Sequence, residues 1–453
     1  MSGRFLEADR DTAYMLPPSV QEWVSEDHLA RFVVDIVDQL NLEDIENAYQ
    51  GRGSSAYHPK MLTSLLFYGY ATGIFSSRKL EAATYDMVPC RFIAANTHPD
   101  HDTIATFRRR FLPQLAKQFH TILQIAAEAG VLKLGSVSLD GTKVKANASK
   151  HKALSYEYAC RLEKQYEEEV KELLAKAEQA DASGAGEELN IPEELSFREQ
   201  RLARIAKAKA EIERRAAERE KCEKEAYEQH LAERKKKAEE TGKKPKGRGP
   251  KEPESGPRKK DQVNLTDNES RIMPVSGGGF EQGYNAQAAV DVDTKLIVTA
   301  HVTQQTNDKQ ELEPTLELLD ELPKELGHVN DLLADAGYFS KTNVEACRQK
   351  QITAYIAMGR DKHNTSLKQR GAEPPEEIPE DTDSVMAMKH RLQTQAGKAK
   401  YAKRKGSVEP VFGVIKAVMG YRSFLLRGFE SVKGEWSLVC MAYNLKMLHR
   451  MIQ

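Results

Sequence analysis

The chain is expected to form a mixed α/β sheet flanked by helices, preceded by an all-α segment and interrupted by a charged helical insertion. Three observations predict this. Up to about residue 130, apolar residues recur at helical spacing. Beyond 131, short β-rich runs alternate with helical ones, the pattern of a sheet covered by helices. Residues 152–262 break that alternation, because Glu, Lys, Arg and Ala dominate and apolar positions are sparse.

At 453 residues the chain has room for two or three domains with real cores. Its 67 Lys and Arg against 68 Asp and Glu, a net charge of −1, exclude a uniformly basic nucleic-acid binder. Local basic faces remain open, since the charges are segregated along the chain. The five cysteines, Cys90, Cys160, Cys222, Cys347 and Cys440, form no CxxC and have no histidine at zinc-ligand spacing. They read as reduced thiols of a cytoplasmic protein. No apolar run reaches bilayer length and MSGRFLEADRD lacks a signal-peptide core, so no membrane partner is expected.

The first helix is amphipathic, with Trp23, Leu29, Phe32, Val33, Ile36, Val37 and Leu40 on its apolar side and a cap around Ser25–Asp27. His58-Pro59-Lys60 opens a second, MLTSLLFYGYATGI, apolar enough to be the centre of its domain. Ser76 or Ser77 caps RKLEAATYD. Asp102 or Thr103 is the expected cap of the next helix, with Ile104, Phe107 and Phe111 on one face. Arg108, Arg109 and Arg110 fan across its other faces, as a helix touching a DNA backbone would need, or as ordinary surface arginines. His98 and His101 read as parts of a loop and cap, not as metal ligands.

In VLKLGSVSLDGTKVKANAS, Val137 and Leu139 alternate with serines, predicting a buried strand that ends at Asp140 and turns at Gly141. Tyr156–Gln179 and Phe197–Glu240 read as a charged antiparallel helical hairpin, or as long helices projecting from the body, too poor in Leu and Ile for a firm coiled coil. TGKKPKGRGPKEPESGPRKK has no core-forming capacity and reads as a disordered linker. Tyr284–Val292 and Leu296–Val302 are strands joined at Asp293-Thr294-Lys295. A helix from Glu311 follows, then a strand Val329–Ala334 ending at Asp335, a helix near Ser340, and a strand within Gln351–Met358. Residues 359–400 read as a long loop or helical insert, and Trp436–Met451 as a closing helix.

Between 401 and 416 stands YAKRKGSVEPVFGVIK, where Val408, Phe412, Ile415 and Met419 keep helical spacing. Because Pro410 suits a first turn, the helix is expected to open near Ser407–Glu409, putting the Glu409 carboxylate at its mouth. Without the insertion, the order is β-β-β-α-β-α-β-α. Two strand-end aspartates on adjacent strands, with the glutamate's helix laid across the same edge, would gather three carboxylates. Such a group needs divalent cations, and Mg2+ is the natural one. Two ions ~3.5–4 Å apart suit phosphodiester chemistry.

SLDGTK around Asp140, ADAGY around Asp335, and YAKRKGSVEPVFGVIK around Glu409 resemble the three acidic motifs of the DDE transposases of bacterial insertion sequences. That family's third motif carries a tyrosine, an arginine, the catalytic glutamate and a lysine seven residues on. Tyr401, Glu409 and Lys416 match it. Arg404 stands one residue further from the glutamate than is usual and Lys405 holds the expected place, leaving open which of them serves. HPKMLTSLLFYGY, SSRKLEAATYD, HPDHDTIATFRRRF, GYNAQAAVD and AYNLKML add to the resemblance, which covers the chain outside 152–262.

The resemblance implies an RNase H-like catalytic core that cuts DNA at insertion-sequence ends and transfers a 3′-hydroxyl into target DNA. Asp140, Asp335 and Glu409 would be catalytic and hold two Mg2+ ions, with Mn2+ substituting. Tyr401, Arg404, Lys405, Lys416, Arg108, Arg109 and Arg110 would meet DNA. The partners would be duplex DNA, terminal inverted repeats and target alike, and a second copy forming a homodimer on DNA. The location would be the bacterial cytoplasm, at the nucleoid. The domains would be 1–130 for end binding, 131–151 with 263–453 for catalysis, and 152–262 as the insertion. An RNase H-like nuclease without strand transfer, or a DNA-binding or scaffold relic, are the alternatives.

Overall fold

The computed structural model describes residues 19–49, 55–183, 191–241, 249–275, 278–359 and 383–453. The chain packs as two units, one of Met1–Thr142, Asn285–Leu426 and Glu430–Gln453, the other of Lys143–Tyr284 with Arg427–Phe429. No helix among the described residues is long and apolar enough to cross a membrane.

In the first unit α1 (Leu29–Gln39) buries Ala30, Val33, Ile36 and Val37. Its cap is His28, whose ring accepts the Ala30 N–H, in place of the expected Ser25–Asp27. After a short α2 (Glu43–Glu46), α3 (Pro59–Thr72) has proline in its first turn, where a missing N–H costs nothing. It is buried from Leu62 to Ala71 and ends at Gly73, with φ of 87°. A Cβ on Gly73 would meet the Met419 carbonyl at 2.8 Å, so glycine is needed for both conformation and space.

α4 (Ser77–Asp86) and α5 (Val88–Ile93) lead to α6 (His101–Glu128). The α6 cap is Asp100, which accepts the Thr103 N–H at 2.9 Å, not Asp102 or Thr103. Asp102 therefore lies in the first turn, where its charge favours the helix dipole.

The sheet has the order β4 (Arg271–Pro274), β5 (Phe280–Asp291), β1 (Ser136–Lys145), β7 (Asp331–Ala334), β8 (Thr353–Ile356), with β6 (Ile297–Thr303) also paired to β5. β1, β7 and β8 are parallel. β5 takes β4 and β6 antiparallel. The β5–β6 turn falls where sequence placed it: Asp291 accepts the Thr294 N–H and hydroxyl, and Lys295 adopts φ of 63°. This mixed sheet with flanking helices is an RNase H-like core.

β1 does not turn at Asp140-Gly141 but runs straight through it. Glycine is there for close approach: a Cβ would stand 2.2 Å from Gln287 Nε2 and 2.8 Å from Asp308 Oδ1.

α9 (Leu312–Asp320) and α10 (Lys341–Gln349, capped by Ser340) follow the strands as expected. Of the stretch 359–400, residues 360–382 lie outside the described part, while α11 (Ser384–Gln393) is helical. α12 then spans Gln395–Gly413 and continues as a π turn over Val414–Val418. The expected opening near Ser407–Glu409 is thus corrected. The cap is Thr394, whose hydroxyl accepts the Gly397 N–H, and Pro410 sits inside the helix. A proline leaves the carbonyl four residues back unpaired, and here that residue is the exposed Gly406, open to water.

The closing helix α13 (Phe429–Ile452) carries the wholly buried Trp436, whose Nε1 donates to the Gln287 carbonyl at 3.1 Å. Asn444 brackets Ile297 of β6, accepting its N–H and donating to its carbonyl.

In the second unit α7 (Tyr156–Ser183) and α8 (Ile191–Thr241) pair antiparallel, tied by Lys209–Glu163 at 2.9 Å and Arg198–Glu169 at 2.7 Å. Their base is a ribbon that sequence reading missed, β2 (Ala153–Ser155) with β3 (Gln262–Asn264). The linker expected to be disordered is pinned along α8 from Ser255 on. Ser255 and the Gly256 N–H donate to Glu220, and Arg219 pairs with Asp261 at 2.8 Å. Residues 242–248 of that linker lie outside the described residues.

Candidate active site

The site is built on the two central parallel strands. β1 and β7 pair with Leu139 opposite Ala334, so the next residues, Asp140 and Asp335, emerge side by side. Neighbouring strands lie ~4.8 Å apart, close enough for the two carboxylates to repel. Asp335 also caps the turn Ala336–Tyr338, its Oδ1 accepting the Gly337 N–H at 2.8 Å.

Along β1, Asp140 and Thr142 share a face by strand alternation. Over that face lies α12. Arg404, 7% exposed, points inward with Nη1 3.5 Å from Asp140 Oδ2 and Nη2 3.2 Å from Glu409 Oε1. Glu409 itself is half exposed. In the π turn, Lys416 donates to the Thr142 hydroxyl, and burial pulls its pKa down. π turns often occur at functional sites.

Burial pushes the Asp140 carboxyl up to about 6; the Gly141 N–H and Arg404 oppose this, while Asp335 and Asp308 add to it. Asp308 is a fourth acid that sequence reading missed. Its Oδ1 accepts from Asn285 Nδ2 at 2.7 Å and from Gln287 Nε2 at 2.8 Å. Gln287 in turn accepts the Tyr338 hydroxyl, whose pKa is raised well above its ordinary value by burial first and then by Asp308, Asp140 and Asp335. A signal for this wall exists in the sequence. Asn285 and Gln287 are polar residues two apart in a strand buried throughout that stretch, so they must face partners on one side.

Among the described residues, no three His, Cys, Asp or Glu side chains stand at joint metal-holding distance. Asp140 and Asp335 follow paired positions on adjacent strands, close enough for Asp335 to raise the Asp140 pKa, and Glu409 joins Asp140 through Arg404. The donors are hard carboxylate oxygens, and the pKa of the Asp140 carboxyl is raised by burial first, with Asp335 and Asp308 adding to it against the Gly141 N–H and Arg404. Arg404 Nε and Nη1 are buried without a hydrogen bond among the described residues. Such a donor set fits a hard divalent cation.

The other sequence-predicted residues disperse. Tyr401 packs on Val292, Leu333 and Tyr355 as part of the sheet's cover. Lys405 is exposed, next in the chain to the buried Arg404. Arg108 is turned inward, 6% exposed, donating to the Tyr70 hydroxyl at 3.0 Å and the Phe75 carbonyl at 2.9 Å. Beside them lies Glu435, fully buried, accepting the Leu425 and Leu426 N–H groups and held above its usual pKa by burial. Arg108 therefore offers no surface to DNA. Arg109 is exposed, and Arg110 is exposed but stacked on Phe111 and bonded to the Ala48 carbonyl.

Two family models match the chain. One, described as "Transposase DDE domain", matches residues 256–445, and the other, "Transposase domain (DUF772)", matches residues 18–110. Asp335 and Glu409 fall inside the first match, whereas Asp140 lies outside both and joins through the pairing of β1 with β7. The comparisons with curated proteins and with solved structures each return no match.

Proposed function

The chain belongs to the DDE transposases of the insertion-sequence type, and from that premise we propose that it cleaves DNA at the ends of an element and joins the freed 3′-hydroxyl to target DNA. The observation carrying this reading is the register that sets Asp140 beside Asp335, with Arg404 tying Glu409 to the same pair. The family acts on DNA and uses divalent metals. Asp140, Asp335 and Glu409 would hold two Mg2+ ions here, with Mn2+ able to replace them. Bound there, the ions supply a polarised nucleophilic oxygen and charge stabilisation for the leaving oxygen of the phosphodiester.

The chain's own residues do the rest. Arg404 holds Glu409 toward Asp140 and keeps part of the acidic charge offset before DNA arrives. Lys416, on Thr142 two residues from Asp140, meets a phosphate flanking the scissile bond. Asp308, Asn285, Gln287 and Tyr338 form a rigid wall behind Gly141 that fixes the Asp140 backbone. Residues 1–130 bind the element end through Arg109 and its neighbours, 131–151 with 263–453 carry the chemistry, and two copies act together on DNA.

Asp335→Asn tests the reading. It should abolish Mg2+-dependent nicking of a duplex carrying the element end while leaving duplex affinity within a small factor, because it removes a ligand and little surface. Nicking at wild-type rate would remove Asp335 from the chemistry. With precut ends, nicking without joining would make the protein a nuclease instead.

A further inference from the structure

The second unit holds a feature that the reading above leaves unused. A groove of about 1070 Å3 runs along α7 and α8 above the β2–β3 ribbon. Its floor is apolar, with the buried Leu154, Ile205 and Val263, and the rings of Tyr158 and Tyr166 line its side. Its rim is basic: Lys152 at the ribbon, then Arg201, Arg204, Lys207 and Arg214 along α8. Arg201 is partly engaged, donating to the Tyr166 hydroxyl at 2.9 Å. Arg204 and Lys207 are exposed, and no carboxylate pairs with them among the described residues. The lining carries one carboxylate, Glu211, already matched by Arg214 and Arg215, which hold its pKa down to about 2.

Spacing strengthens the charge argument. Arg201, Arg204 and Lys207 succeed one another every three residues, a rise of ~4.5 Å each, and Arg201 to Arg214 spans ~20 Å. A DNA strand presents a phosphate every ~3.4 Å of axis, so the stripe runs alongside roughly six. We propose that this groove is a backbone-binding surface for double-stranded DNA, with Lys152, Arg204 and Lys207 on phosphates and the tyrosine rings against the sugars. It gives the insertion the task of holding duplex outside the active site, and rests on DNA being this chain's substrate.

The test uses full-length protein carrying Arg204→Glu and Lys207→Glu together, bound to a duplex oligonucleotide between about 50 and about 200 mM salt. The slope of log affinity against log salt should flatten by about two, and affinity at the low-salt end should fall about tenfold or more. A control with Lys235→Glu and Lys236→Glu makes the same charge change further along α8, outside the groove, and should lose little. Matching circular dichroism of both variants establishes that the hairpin is intact. A groove variant that binds like wild type, or loses no more than the control, overturns the proposal. So does a variant that keeps DNA affinity but loses self-association in sedimentation, which would assign the groove to a second copy. A wild-type protein that binds no duplex would bring down the transposase chemistry as well, whereas a binding wild type with an indifferent groove removes the groove alone.

Discussion

Asp140→Asn should stabilise the protein while removing its chemistry, and the gain should appear only above mildly acid pH. Burial, the largest influence on this carboxyl, lifts it from 3.8 to about 6 in the folded state. An acid whose folded pKa is raised makes the native state bind its proton more tightly than the unfolded chain does. The resulting penalty is absent below the unfolded pKa, grows between the two values, and is complete above the folded one. At neutral pH it amounts to about 3 kcal/mol, since each tenfold difference in proton affinity is worth about 1.4. The side chain is 21% exposed, so solvent screening removes a modest part of this. Asparagine keeps the shape and can still accept the Gly141 N–H. The assay is urea unfolding of the whole chain in chelator, followed by tryptophan fluorescence. Both tryptophans, Trp23 and Trp436, belong to the unit that holds Asp140, so the signal reports on the right part. Wild type and variant should coincide near pH 4 and separate by about 2–3 kcal/mol near pH 8. Added Mg2+ should stabilise the wild type alone and narrow the gap, because it binds only where the carboxylate remains. A gap independent of pH, or a variant less stable near pH 8, would refute burial as the dominant influence on Asp140.

Arg108→Met should cost about 3 kcal/mol, because it leaves Glu435 buried without its nearest cation, yet leave duplex affinity unchanged; a large loss of affinity with normal stability would return Arg108 to the DNA interface. Lys416→Ala should flatten the salt slope of duplex binding by about one if it meets one phosphate, and an unaltered slope counts against that role. Gly141→Ala places a methyl 2.2 Å from Gln287 Nε2 and should cost about 1–3 kcal/mol as the wall shifts. Nicking should fall further than affinity in that variant, and full nicking would mean that the wall does not position Asp140.

What the sequence made legible follows the physics of burial. α1 was readable from a helical period whose apolar face it buries, whereas α3, β5 and α13 were readable as runs apolar enough to be buried on nearly every side. The β2–β3 ribbon was not, since three-residue strands are too short to show alternation. The pinned linker failed for a different reason. Its order comes from Glu220 and Arg219 of α8, which a local composition of Pro, Gly and Lys cannot reveal. The Asp100 cap was missed by two residues because His-Pro-Asp-His-Asp-Thr offers several competent capping groups in succession.

The site divides along the same line. Asp140 and Asp335 were singled out because an acid after a run of buried apolar residues is a local pattern, but their pairing needed the register of β1 on β7. Glu409 was singled out by motif and misplaced by propensity: Gly406 and Pro410 read as the edge of a helix that in fact contains both. That correction changes the electrostatics. At a helix mouth, the Glu409 charge would be held by the dipole. In the helix interior it has no such support, and Arg404, five residues earlier, supplies the positive charge instead. Five residues turn an α-helix through ~140° beyond a full circle, so the two side chains leave different faces. Arg404 accordingly goes under the helix to Asp140, and Glu409 stays at the rim, half exposed. The third acid therefore reaches the other two from the solvent side, where a DNA backbone must also arrive. Its charge is tethered by a guanidinium that is itself only partly hydrogen-bonded, so the strand acids meet through register while the third is held to Asp140 by a side chain.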